Sequence, residues 1–306
     1  MTIAFLFPGQ GAQAVGMGKD LYDAVPAAKA IFDEADQALG FSLSGLCFEG
    51  PEETLTQTIN TQPAILTASI ATLEAARERL QAKGLTPSFA AGHSLGEYSA
   101  LVAAGAMTFT DAVRLVRERG RLMQAAGDER EGAMAAVMGM PETTLSEICA
   151  EAGVDMANLN SADQIVISGS KEGVEAAQKL AEERGARRVV ALRVSAAFHS
   201  SLMDPAVPGM RSALASATIS APGFPVIGNV TAQPLATAED ITDELASQIR
   251  NSVQWFRTVE YLRDNGADTF VEIGPGTVLT GLVKRTFAEA ETINIGNLEQ
   301  LEALSG

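Results

Sequence analysis

Five apolar residues in a row, Ile3 to Phe7, run into the glycine-rich stretch Pro8-Gly9-Gln10-Gly11 and on to Gly18. A short unbroken apolar run bounded by glycine and proline predicts a buried strand. Helical periods follow over about 19–39 and 62–83, then a second strand over 88–92 and a helix from Leu95 to about Ala106. A further helix is predicted over 111–126. Strands alternating with helices imply a mostly parallel sheet with helices on both faces, an α/β fold.

The middle of the chain changes pattern. Residues 132–139 predict a strand, and 141–153 a helix with Pro141 near its start and Gly153 at its end. Two short strands (155–160 and 164–170), a helix over 171–184 and a strand over 186–195 complete a β-α-β-β-α-β order, the ferredoxin-like unit. Residues 128–196 therefore read as an inserted subdomain. It divides a discontinuous large domain, 1–127 and 197–306, whose remaining strands are predicted at 224–230 and 268–274 and helices at 238–264 and 276–288. A cleft is expected where insert and large domain meet.

Composition narrows the class. The 306 residues are 46% hydrophobic, enough for a sizeable core, and carry a net charge of −16, which argues against non-specific nucleic-acid binding. Cys47 and Cys149 are isolated and there are only two histidines, so neither a disulfide framework nor a metal site is expected. The apolar run at 3–7 is too short for a signal peptide or a membrane span. The chain reads as a reduced, cytoplasmic protein with no cofactor requirement.

Gly92-His93-Ser94-Leu95-Gly96 fits G-x-S-x-G between a predicted strand and a predicted helix. A sharp turn there needs glycine where backbones crowd, and it lifts the serine hydroxyl to a helix N-terminus, whose N–H groups can stabilise an oxyanion. The plainer alternative is a serine N-cap. A nucleophilic serine needs a base. His93 follows a strand residue by residue and points away, which suits a structural role; His199, just after the insert, is the candidate base. No acid stands out to orient it, so a backbone or amide carbonyl is the candidate partner. On the 111–126 helix, Arg119 interrupts the apolar stripe Ala112, Val116, Met123. A buried guanidinium needs an anion: either an internal carboxylate or a substrate carboxylate held by two parallel hydrogen bonds.

Six ordered motifs, FLFPGQGAQ at 5–13, GHSLGEYSAL at 92–101, Arg119-Gly120 in RERGRLMQ, AAFHSSLMDP at 196–205, NSVQWFRTVEYL at 251–262 and FVEIGPGTVLTGL at 270–282, resemble the malonyl-CoA:acyl carrier protein transacylase family over nearly the whole chain. The resemblance implies an α/β-hydrolase-like core with a ferredoxin-like insert. It implies Ser94 as nucleophile, His199 as base held by the backbone carbonyl of Gln248, the N–H groups of Gln10 and Leu95 as oxyanion donors, and Arg119 as the carboxylate-binding residue. Asn160 and Phe198 are placed in the same cleft. It also implies malonyl-CoA and acyl carrier protein as partners of a monomeric enzyme, in fatty-acid or polyketide synthesis. Three rivals stand beside it: a serine thioesterase or esterase, a dinucleotide-binding protein read from Gly9, Gly11 and Ala14, and a non-enzymatic carrier-binding protein, which leaves the serine turn unexplained. Arg184, Arg187, Arg188, Arg193, Lys284 and Arg285 are candidates for a carrier-docking patch, with ordinary solvated surface as the alternative.

Overall fold

Every side chain of the first strand, β1 (Ile3–Phe7), is buried, as a central strand covered on both faces requires. The computed structural model describes residues 1–192, 194 and 196–304. After β1 come α1 (Lys19–Ala24), α2 (Pro26–Leu39), α3 (Leu43–Glu49), α4 (Glu52–Thr56) and α5 (Thr58–Ala82). β2 (Pro87–Gly92), α6 (Gly96–Ala103) and α7 (Phe109–Glu129) lead to the inserted elements β3 (Gly132–Met138), α8 (Glu142–Ala152), β4 (Asp155–Ser161), β5 (Gln164–Ser170), α9 (Lys171–Glu183) and β6 (Arg188–Ala191). The chain closes with α10 (Val207–Leu214), β7 (Val226–Ile227), β8 (Pro234–Leu235), α11 (Ala238–Gln248), α12 (Trp255–Asp264), β9 (Thr269–Ile273), α13 (Val278–Thr286), β10 (Glu291–Ile295) and α14 (Leu298–Ala303).

Two sheets result. The larger has the order β10-β9-β1-β2-β7-β8, parallel except for the β7–β8 pair. The smaller is antiparallel with the order β4-β5-β3-β6, the arrangement of a ferredoxin-like unit. The fold is thus α/β, with a mostly parallel sheet and a separate antiparallel one. Among the described residues no helix is long and apolar enough to cross a membrane.

Several expected elements have different bounds. The helix expected over 19–39 is two, α1 and α2, because Pro26 takes the first position of the second and forces an extended Val25 before it. The helix expected over 238–264 is also two. Between α11 and α12 the backbone leaves the helix so that Val253 donates to the Ala157 carbonyl and accepts from the Leu159 N–H, a strand-like bridge to β4. The strand expected over 224–230 shortens to two residues, and β8, β10, α3, α4, α10 and α14 add to the predicted set. Of the strand expected over 186–195, Arg193 and Ser195 lie outside the described residues, as do Ser305 and Gly306 of the expected large domain.

The turn between β2 and α6 sets the position of everything that follows. A Cβ on Gly92 would lie 1.9 Å from the Gly96 carbonyl carbon, and one on Gly96 would lie 2.0 Å from the Phe7 carbonyl oxygen. Both obstacles are backbone, so neither can swing aside. Gly96→Ala is expected to destabilise the fold by about 3 kcal/mol or more. Gly281→Ala, on an exposed helical position with nothing within 4 Å of the new methyl, is expected to stabilise it by roughly 0.5–1 kcal/mol. Urea unfolding of the two variants checks this; equal effects would contradict it.

Candidate active site

Ser94 sits at the C-terminal end of β2 with φ 52°, a left-handed conformation that non-glycine residues adopt at a cost. Two contacts hold it there. Its N–H donates to Asn229 Oδ1 at 2.6 Å, and its carbonyl accepts from Gln248 Nε2 at 2.9 Å. Asn229 in turn donates to the Gly92 carbonyl at 2.7 Å, bracing the turn from the strand side.

His199 also has a positive φ, 56°, and its ring reaches Ser94. The Nε2–Oγ distance is 2.7 Å. On the other side Nδ1 faces two carbonyl oxygens, Gln248 O at 2.8 Å and Asn251 O at 3.1 Å. A ring nitrogen facing two acceptors must carry the proton, so Nε2 offers its lone pair to the Ser94 hydroxyl. The orienting group is a pair of carbonyls, where many serine hydrolases place an acid. His93 borders the same cavity but bonds elsewhere: its Nε2 donates to Asn160 Oδ1 at 2.8 Å, and its ring lies against Trp255.

Arg119 is 1% exposed and projects from α7 into the same place. Nη1 donates to Gln62 Oε1 at 2.8 Å, while Nη2 donates to Gln248 Oε1 at 2.8 Å and to Ser94 Oγ at 3.1 Å. The guanidinium also lies 5.6 Å from the centre of the Tyr98 ring. Among the described residues no carboxylate comes within 4 Å of it. The internal ion pair offered by the sequence as one alternative is not formed there. A cation held only by neutral oxygens beside a serine hydroxyl is prepared to receive an anion.

A cavity of about 130 Å³ opens over Ser94. The parallel-sheet side contributes Gln10, Leu95, Arg119 and Met123, and the antiparallel side Met134, Asn158 and Leu192; Phe198 and His199 close it between them. The backbone N–H groups of Gln10 and Leu95 donate to no oxygen among the described residues. Asn160 stands one step back, reaching the cavity through His93, and Asn158 takes the lining position. A larger hollow of about 320 Å³ by the start of β2 touches none of these residues.

Four contributors were not found from the sequence: Gln62, Asn158, Asn229 and the side chain of Gln248. Gln62 had a usable signal, a polar residue opening the long apolar stretch of α5. The glycine pattern at 9–14 fails as a dinucleotide loop, since the next helix begins only at Lys19 and leaves no N-terminus beside the loop. In the docking-patch candidates, Arg184 pairs with Glu151, Arg187 pairs with Asp163 and Arg285 donates to Gln164, whereas Arg193 lies outside the described residues.

Residues 4–299 match the acyl transferase domain family. The chain is 50% identical over 305 residues to the malonyl CoA-acyl carrier protein transacylase of Bacillus subtilis strain 168, covering 98% of this chain and 95% of that one. It superposes with a TM-score of 0.94 and 43% identity on the acyl-carrier-protein-S-malonyltransferase of Bartonella henselae, covering 100% of both chains. A malonyl-transacylase solved in complex with a type II polyketide acyl-carrier protein has a TM-score of 0.94, 41% identity and 99% coverage of each chain.

Burial, followed by the charge of Arg119, pushes the His199 imidazole down to about 3. Burial also lowers His93. Both rings are therefore neutral at pH 7. Because the unfolded chain binds protons near pH 6.5 and folded His199 binds one only near 3, acidification through that window favours unfolding. Nitrogen-15 NMR titration of the two imidazoles is expected to show neither midpoint near 6.5, and His199 still neutral at about pH 5. A His199 midpoint near 6.5 would contradict this electrostatic picture.

Proposed function

The chain belongs to the acyl transferase family, and on that premise we propose that it transfers malonyl from malonyl-CoA to the phosphopantetheine thiol of acyl carrier protein, supplying malonyl units for fatty-acid synthesis. One observation carries the reading at this site: the Ser94 hydroxyl lies between the lone pair of His199, at 2.7 Å, and the uncompensated cation of Arg119, at 3.1 Å. Malonyl places its carboxylate one methylene from the reacting carbonyl, so a single acyl group spans both features. Acetyl offers nothing to the cation, and an ordinary esterase has no use for one.

The reaction proceeds in two half-steps with the same residues. His199 Nε2 takes the Ser94 proton as Oγ bonds to the thioester carbonyl carbon. The oxyanion that forms is held by the N–H groups of Gln10 and Leu95, which have no competing acceptor among the described residues. As the intermediate collapses, the carbon–sulfur bond breaks and His199 returns its proton to the departing CoA sulfur. The malonyl-serine ester keeps its carboxylate on Arg119. The carrier thiol then gives its proton to His199, attacks the ester carbonyl, and Ser94 leaves with that proton restored. Gln248 and Asn251 hold the imidazole through both steps by accepting from Nδ1–H. Phe198 and Met123 bound the cavity with apolar surface, disfavouring water as the competing acceptor.

Mixing the protein with malonyl-CoA is expected to give one malonyl adduct per chain by intact-mass spectrometry, mapping to Ser94 and absent from Ser94→Ala. An adduct elsewhere, or one undiminished in that variant, would sink the assignment. His199→Ala is expected to slow adduct formation roughly 10²- to 10⁴-fold, the range for a positioned general base. Stopped-flow acylation rates that stay within a fewfold of the parent would remove His199 from the mechanism.

A further inference from the structure

Behind the cavity lies a buried carboxyl group that the proposed reaction does not use. Glu97, in the first turn of α6, is fully buried. Its Oε2 accepts from Gln248 Nε2 at 2.7 Å and from the Asn229 N–H at 3.2 Å. Its Oε1 has no hydrogen-bond partner among the described residues. No cation lies within 4 Å of it there, and the next acidic side chain, Glu244 on α11, is nine-tenths buried and close enough to oppose ionisation.

This geometry fixes the Gln248 side chain. With Nε2 donating to Glu97 Oε2 and to the Ser94 carbonyl, Oε1 is the atom left facing Arg119, and it accepts from Nη2 at 2.8 Å. Turned over, the amide would set its NH2 against a guanidinium, donor against donor, and push Arg119 away from Ser94. We propose that Glu97 is a positioning residue which, as a neutral carboxylic acid, fixes the Gln248 amide and so aims Arg119 at the substrate carboxylate. Neutrality matters as much as geometry. A carboxylate at this place would act on Arg119 through one amide and compete with the incoming anion. It would also leave Oε1 charged, buried and without a donor, a larger cost than the unpaired hydroxyl that an acid protonated on Oε1 leaves there. Burial, reinforced by Glu244, holds the Glu97 carboxyl well above the usual carboxylate range.

The proposal rests on Arg119 as carboxylate clamp, and the test separates the two. The readout is the ratio of kcat/KM for malonyl-CoA to that for acetyl-CoA, which a general loss of folding does not move. Glu97→Gln, whose carbonyl accepts in the same place, is expected to keep the ratio within about threefold of the parent. Glu97→Ala is expected to lower it roughly 10- to 100-fold, the worth of a hydrogen-bonded arrangement around a charged group. Added to Arg119→Ala, Glu97→Ala is expected to change the ratio no further. A folded Glu97→Gln that loses the ratio as Glu97→Ala does would show that the negative charge is needed and overturn the proposal. So would an equal loss for both thioesters in Glu97→Ala. If Glu97→Ala does not fold, Gln248→Leu carries the same expectation, since it keeps the backbone carbonyl for His199; an unchanged ratio there overturns the proposal too. Should Arg119→Ala alone leave the ratio unchanged, the clamp itself fails and this proposal falls with it.

Discussion

A guanidinium buried with no carboxylate within 4 Å among the described residues is the constraint around which this site is arranged. Taking such a charge out of water costs several kcal/mol, and neutral hydrogen bonds offset only part of it. The protein supplies those bonds from three separate places: Gln62 on α5, Gln248 at the end of α11 and Ser94 in the turn between β2 and α6, with the Tyr98 ring alongside. The remaining electrostatic demand is left for the ligand. The same charge helps keep His199 unprotonated, so in the proposed reaction one buried cation would serve both the affinity for an anionic acyl group and the availability of the base.

Gln248 ties these parts together. Its backbone carbonyl accepts from His199, its amide oxygen accepts from Arg119, and its amide nitrogen donates to the Ser94 carbonyl and to Glu97. His199, Arg119 and Ser94 are thereby located by one residue, at a helix end where the main chain must also depart to bridge β4. The positive φ values of Ser94 and His199 are sustained by this surrounding network, since neither side chain type favours that conformation on its own.

How much of this was legible follows from the range of each signal. Ser94 stood out because its flanking glycines answer a local steric demand, and Arg119 because a charge on an apolar stripe is visible within one helix. His199 was reachable by elimination, there being two histidines and one of them expected to face away. The roles of Gln62, Asn158 and Asn229 were not legible, because Gln62 and Asn229 acquire theirs from partners 57 and 135 residues away and Asn158 from its place in the cavity wall. The interruption between α11 and α12 escaped for the same reason. No proline or glycine marks it; the bridge of Val253 to β4 imposes it. The two-residue strand β8 is short enough that pairing in the sheet, more than local pattern, creates it.

The claim that most needs testing is that Arg119 reads the substrate carboxylate. Comparing kcat/KM for malonyl-CoA and acetyl-CoA in the parent and in Arg119→Ala tests it directly. The account predicts that malonyl transfer loses about 2–5 kcal/mol of transition-state stabilisation, as for a desolvated charge pair, while acetyl transfer falls little or rises. An equal loss for the two thioesters would mean that Arg119 serves the fold alone, and the account of the site would be contradicted.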